Sequence, residues 1–223
     1  MCTLQFLKFK ESMVMKYFRK VFKIMIPLVV ALSESKSIHA QYQERALVYD
    51  IMRKDDKIGT VLAVKVTNGT QEAIRIETHM NVQFVVSVKV DLVVGNSFRD
   101  DVLLEAFMRK DVNGTVKINN SIFRKGNFYN MIDKDRDTTF LHQTLSESVS
   151  TLYFEEPVNT TTIFSETFLK LLPLKKTESS TYQLSLPDGN TNYYRYEKGV
   201  CTEVIIETQL STVHLRLRSN KEG

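Results

Sequence analysis

Apolar and polar residues alternate along most of this chain. From Val82 to Val94 one parity reads Val82, Phe84, Val86, Val88, Val90, Leu92, Val94, and the other reads Gln83, Val85, Ser87, Lys89, Asp91, Val93. Side chains of a strand point alternately to opposite faces, so this pattern predicts a long strand with one strictly apolar face. Ile74, Ile76 and Met80 alternate with Arg75, Glu77 and His79, and Val213, Leu215 and Leu217 with His214, Arg216 and Arg218. Val204 and Ile206 alternate with Glu203 and Glu207, and Tyr182, Leu184 and Leu186 with Gln183 and Ser185. One-sided alternation belongs to antiparallel sheet, packed on one face and wet on the other.

The turn residues fit. Asn68-Gly69, Asn113-Gly114 and Asp188-Gly189 tolerate the positive φ of tight hairpins, with Lys125-Gly126 and Lys198-Gly199 as weaker versions. Strands are predicted near 43–53, 57–67, 71–80, 82–94, 101–111, 115–124 and 127–132, then near 181–187, 191–197, 200–208 and 212–218. The expected fold is all-β: a single domain over 41–223, an antiparallel meander forming a curved sheet, barrel or half-barrel. A two-sheet sandwich is the alternative.

One short helix is predicted near 145–154. Thr144-Leu145-Ser146-Glu147 fits a capping box, Leu145, Val149, Leu152 and Tyr153 share a face, and Pro157 forbids continuation. The stripe predicts packing on the apolar face of the sheet. Residues 163–172 fit helix and strand equally.

Residues 1–40 differ from the rest. Lys16, Arg19, Lys20 and Lys23 precede an apolar run from Ile24 to Leu32, and Ala40 follows a polar stretch. This is the layout of a secretory leader, with Met13 or Met15 as alternative starts, and the run is too short for a bilayer span of about 20 residues. The expectation is export to the periplasm or cell envelope, with no integral membrane span in the mature chain. The leader also carries the excess positive charge (Lys8, Lys10, Lys16, Arg19, Lys20, Lys23 and Lys36 against Glu11 and Glu34), so the remainder is close to neutral. Net charge thus gives no ground for a nucleic-acid partner. Cys2 lies in the leader, which leaves Cys201 without a disulfide partner.

Three stretches are distinctive: Ser148-Val149-Ser150-Thr151-Leu152-Tyr153-Phe154-Glu155-Glu156-Pro157, Phe164-Ser165-Glu166, and Leu186-Pro187-Asp188-Gly189-Asn190-Thr191-Asn192-Tyr193-Tyr194-Arg195-Tyr196-Glu197-Lys198-Gly199. With Lys57-Ile58-Gly59, they make the chain resemble the exported bacterial domain of unknown function 6134, a family seen mainly in Bacteroidetes. The resemblance implies export and an all-β domain, and it brings no catalytic residues.

Enzyme and metal signatures are weak. Asp133-Lys134-Asp135-Arg136-Asp137 opens like a calcium loop but has Thr138 and Thr144 where Gly and a carboxylate are required. His79, His142 and His214 are scattered, and neither HExxH nor paired CxxC occurs. His142 near Ser146, Ser148 and Ser150 lacks a G-x-S-x-G elbow. Glu155, Glu156, Glu166 and Asp188 are the carboxylates available to an envelope hydrolase. No catalytic residue, metal or cofactor is assigned. Curved antiparallel sheets often enclose apolar ligands, so the favoured expectation is a periplasmic or envelope binding or carrier module for a lipid or other apolar ligand. Its expected lining is Val86, Val88, Val90, Leu152, Tyr153, Tyr194 and Tyr196. An envelope hydrolase and a structural or protein-interaction domain without a small ligand are the alternatives.

Overall fold

The computed structural model describes residues 42–83 and 87–222. The leader, Phe84 and Val86 lie outside the described residues. Among the described residues fourteen strands run in chain order: β1 (Tyr42–Arg53), β2 (Asp56–Asn68), β3 (Gln71–Gln83), β4 (Ser87–Arg99), β5 (Val102–Val112), β6 (Thr115–Lys125), β7 (Phe128–Ile132), β8 (Thr138–Leu141), β9 (Thr162–Ser165), β10 (Lys170–Glu178), β11 (Thr181–Ser185), β12 (Thr191–Glu197), β13 (Val200–Glu207) and β14 (Thr212–Glu222). They form one antiparallel sheet in the order β8-β7-β6-β5-β4-β3-β2-β1-β14-β13-β12-β11-β10-β9. Every neighbour in the sheet is a neighbour in sequence except β1 and β14, whose pairing joins the two halves of the chain. The sheet curls but does not close, with β8 and β9 as its edges.

The expected strand over 82–94 is two strands. β3 ends at Gln83 and β4 begins at Ser87, with Val82 opposite Val88 and Met80 opposite Val90. Paired residues here have the same parity, so the alternation passes through the hairpin without a change of phase. The sequence between the two strands holds no Gly, Pro or Asn, which left the break invisible to pattern reading.

The expected helix is reduced to a 3₁₀ turn at Val149–Tyr153, preceded by Ser148 in extended conformation. The Leu103 amide donates to the Leu145 carbonyl at 2.8 Å, occupying the acceptor that an α-helix starting at Thr144 would need. The Ser148 amide donates instead to Thr151 Oγ1 at 3.3 Å. Residues 163–172 are β9, a turn and the start of β10, with the Leu169 amide donating to the Ser165 carbonyl at 2.8 Å and Leu169 at φ 53°.

The core lies on the concave face. Leu47, Tyr49, Ala63, Leu103, Ile122, Leu184 and Cys201 are all fully buried. Strand Gly59 matches the Lys57-Ile58-Gly59 stretch: a Cβ there would stand 2.3 Å from the His79 carbonyl oxygen, so only glycine allows β3 to approach.

Candidate functional site

The two ends of the curved sheet differ. At one end lie the turns at 69–70, 100–101, 126–127, 179–180 and 198–199, and at the other those at 54–55, 113–114, 186–190 and 208–211. The connection from β8 to β9, residues 142–161, seals the first end. Leu145, Leu152 and Phe154 are at most 2% exposed and sit in the main core cluster.

Polar side chains on the inward face hold this plug. Arg45, Lys65, Ile74, Asn96, Ala106, Ile122 and Met131 form one row of strand partners. The three polar members each bind the plug. Arg45 Nη1 donates to the Phe154 carbonyl at 3.1 Å. Lys65 Nζ pairs with Glu155 and, at 2.9 Å, with Glu72. Burial pushes the Lys65 ammonium down, but these two carboxylates outweigh it and hold the group above its ordinary value.

Asn96 Nδ2 donates to Ser148 Oγ at 2.7 Å and to Glu166 Oε1 at 2.8 Å, and lies against Ser150 Oγ. The Ser150 amide also donates to Glu166 Oε1 at 3.3 Å. Asn120 Nδ2 donates to the carbonyls of Glu166 and Thr167 at 2.8 and 2.9 Å. Turning the Asn96 amide over would set its oxygen against the carboxylate, so Glu166 fixes its orientation. Asn96, Asn120, Ser148, Ser150 and Glu166 are all at most 5% exposed. Two distinctive sequence stretches, Ser148–Pro157 and Phe164–Glu166, therefore meet in this clasp. A signal for it was present: Asn96 and Asn120 are polar residues on apolar parities, between Val94 and Phe98 and between Ile118 and Ile122. A buried polar group of this kind must have a designated partner.

The other end is less filled. On β6 burial falls from Ile122 to Ile118, on β13 from Cys201 to Ile206, and on β5 from Leu103 to Val112. Met80, Leu92, Ile118, Leu186, Ile206 and Val213 are partly exposed apolar side chains against the core at this end.

The expected lining residues fall into two groups. Leu152, Tyr153, Tyr194 and Tyr196 come together at the sealed end. Tyr194 is 1% and Tyr196 5% exposed. Tyr196 Oη donates to the Leu152 carbonyl at 2.7 Å, and the Tyr153 ring stands edge-on to Tyr49 with centroids 5.5 Å apart. Burial pushes the hydroxyls of Tyr49, Tyr153, Tyr194 and Tyr196 far above the ordinary phenol range. Val88 and Val90 stand on β4 toward the open end, and Val86 is outside the described residues. A single row of strand partners nevertheless runs Tyr182, Tyr194, Val204, Leu215, Ile51, Gly59, Met80, Val90, Val112, so Tyr194 and Val90 belong to one continuous band of the sheet.

The residues considered for hydrolysis have separate partners. His142 is exposed, its ring tilted against Phe128 with centroids 5.6 Å apart. Glu155 pairs with Lys65, Glu156 accepts from Tyr182 Oη at 3.0 Å, and Asp188 binds Asn190 within its own turn. Glu166 belongs to the clasp. Asp133 Oδ1 accepts the amides of Asp135 and Asp137, each at 2.9 Å, which makes that stretch a turn closed on itself. Burial raises the Cys201 thiol to about 12.

The profile of a family described as Domain of unknown function (DUF6134) matches residues 49–218, which include the clasp and the plug. The chain belongs to the DUF6134 family. Among solved structures, this DUF6134 domain is similar to a β-barrel-like protein of the domain of unknown function DUF1849 from Brucella abortus. The TM-score is 0.50 at 9% identity, over 82% of this chain and 98% of that one. The likeness is one of fold. No curated protein matches the chain. Among the described residues no helix is long and apolar enough to cross a membrane.

Proposed function

We propose that this DUF6134 domain is an exported binding or carrier module of the cell envelope that takes a lipid or other apolar ligand into the open end of its curved sheet. The asymmetry of the two ends carries the reading. One end is sealed by a segment tied down through Arg45, Lys65 and Asn96, whereas the other leaves Met80, Leu92, Ile118, Ile206 and Val213 partly exposed at inward positions. Apolar side chains that a fold leaves incompletely covered on a concave surface favour an apolar partner, at roughly 25 cal/mol for each Å² removed from water. In this reading Val88 and Val90 belong to the wall, and Leu152, Tyr153, Tyr194 and Tyr196 form the floor beneath the ligand. The leader pattern supports export.

The reading is tested on protein purified from its own cell envelope, by native mass spectrometry and by solvent extraction of the same sample. A stoichiometric apolar molecule is expected. Recovery of none overturns the proposal.

A further inference from the structure

A lysine stands among the apolar side chains of the open end. One row of strand partners runs Ile118, Lys110, Leu92, Thr78, Val61, Tyr49. Paired residues of an antiparallel sheet share a face, and Val61 and Tyr49 are at most 1% exposed within the main core cluster, so this row faces inward. Lys110 therefore belongs to the concave surface. It lies between Leu92 on β4 and Ile118 on β6, and all three side chains are half-buried. β5 ends at Val112, just before the turn at 113–114, which places Lys110 near the mouth.

The Lys110 ammonium has no counter-charge. Among the described residues it makes no ion pair, hydrogen bond or ring contact. Its sequence neighbour Asp111 has the opposite parity, and both of its carboxylate oxygens are taken by Arg109, at 2.8 and 3.1 Å. The inward carboxylate of Glu166 is engaged by Asn96 and by the Ser150 amide in the clasp.

While the mouth is wet, such a lysine costs little. Its apolar stem lies along neighbouring side chains and its ammonium stays in water. A ligand that covers Leu92 and Ile118 displaces that water, and an ammonium buried without a partner is strongly unfavourable. The same apolar surface is therefore a good site only for a molecule that brings a negative group to Lys110, where a charge-assisted hydrogen bond replaces the lost hydration.

We infer that the ligand of the open end is an amphipathic anion, an apolar chain that ends in a carboxylate or a phosphate and pairs with Lys110. The inference rests on the apolar-ligand reading above and narrows it to a chemical class.

The test is calorimetric titration of the purified protein with decanol, decanoate and decyl phosphate, each kept below the concentration at which it forms micelles. Lys110→Met keeps an unbranched apolar stem and removes the charge. Lys117→Met, at an exposed position of opposite parity on β6, is the control. Each variant is first shown to unfold cooperatively. At least one of the two anions is expected to bind the wild type more tightly than decanol by about tenfold or more. Lys110→Met should abolish that preference without weakening decanol, and Lys117→Met should preserve it. A preference confined to decanoate identifies a carboxylate ligand, one confined to decyl phosphate a phosphate ligand, and an equal preference a site that reads charge alone. Equal affinity for the alcohol and both anions, or a preference that survives in Lys110→Met, overturns the inference and leaves the apolar-ligand reading standing. Binding of none of the three also overturns it, and extraction of the native protein then decides the apolar-ligand reading separately.

Discussion

The hydroxyl of Tyr196 donates a 2.7 Å hydrogen bond to the backbone carbonyl of Leu152, joining β12 to the 3₁₀ turn of the plug. Both residues are buried. A five-residue 3₁₀ turn leaves most of its carbonyls without internal partners, and the interior supplies one. Tyr196→Phe keeps the ring and strands that carbonyl. The expected loss is about 1–3 kcal/mol of unfolding free energy, the usual cost of an unsatisfied buried group. Urea unfolding measures it, with Tyr193→Phe, on the other parity of the same strand, as the comparison. Equal midpoints for the two variants would show that the bond contributes nothing.

Leu152→Asp tests whether the plug is part of the core. The side chain is 1% exposed, and an unpaired charge in its place costs far more than the few kcal/mol gained by burying a leucine. The domain should lose its cooperative thermal transition. Glu155→Ala removes an ion pair whose acidic side chain is 67% exposed, and a shift of about 1 kcal/mol or less is expected. Calorimetry of both variants distinguishes a core element from an appendage, which would tolerate both changes.

Stability should also fall at alkaline pH. A Cys201 thiol raised by burial from its ordinary 9.0 to about 12 is favoured in its neutral form by the fold. That contribution is complete below about pH 9 and is lost as pH rises toward 12, because the unfolded thiol releases its proton first. The buried tyrosines act in the same sense from their ordinary 10.0 upward. Melting temperature should be flat from pH 7 to about 9 and decline above it. Native Cys201 should also resist a thiol reagent at pH 8 and react only after denaturation. Rapid labelling of the native protein would contradict its burial.

Period-two patterning made the all-β class, the meander and the union of the two halves legible, because each inward parity is nearly pure. It failed where the signal is not periodic. β3 and β4 share one alternation from Val82 to Val94, and the sequence between them has no Gly, Pro or Asn. The segment from Thr144 to Tyr153 has helical spacing, yet its backbone is tied to Leu103, a contact that no local pattern encodes. The clasp was half legible: Asn96 and Asn120 interrupt apolar parities, but their meeting with Glu166 depends on long-range pairing.

The sheet is sealed at one end, and the proposed apolar ligand enters at the other. The most direct measurement is titration with a neutral apolar fluorophore of the wild type, of Ile118→Lys and Ile206→Lys at the open end, and of Glu155→Ala at the sealed end. Each variant is first shown to unfold cooperatively. Saturable one-to-one binding is expected, weakened at least tenfold, about 1.4 kcal/mol, in both open-end variants and unchanged in Glu155→Ala. Absence of saturable binding to the wild type, or equal affinity in the open-end variants, would contradict it.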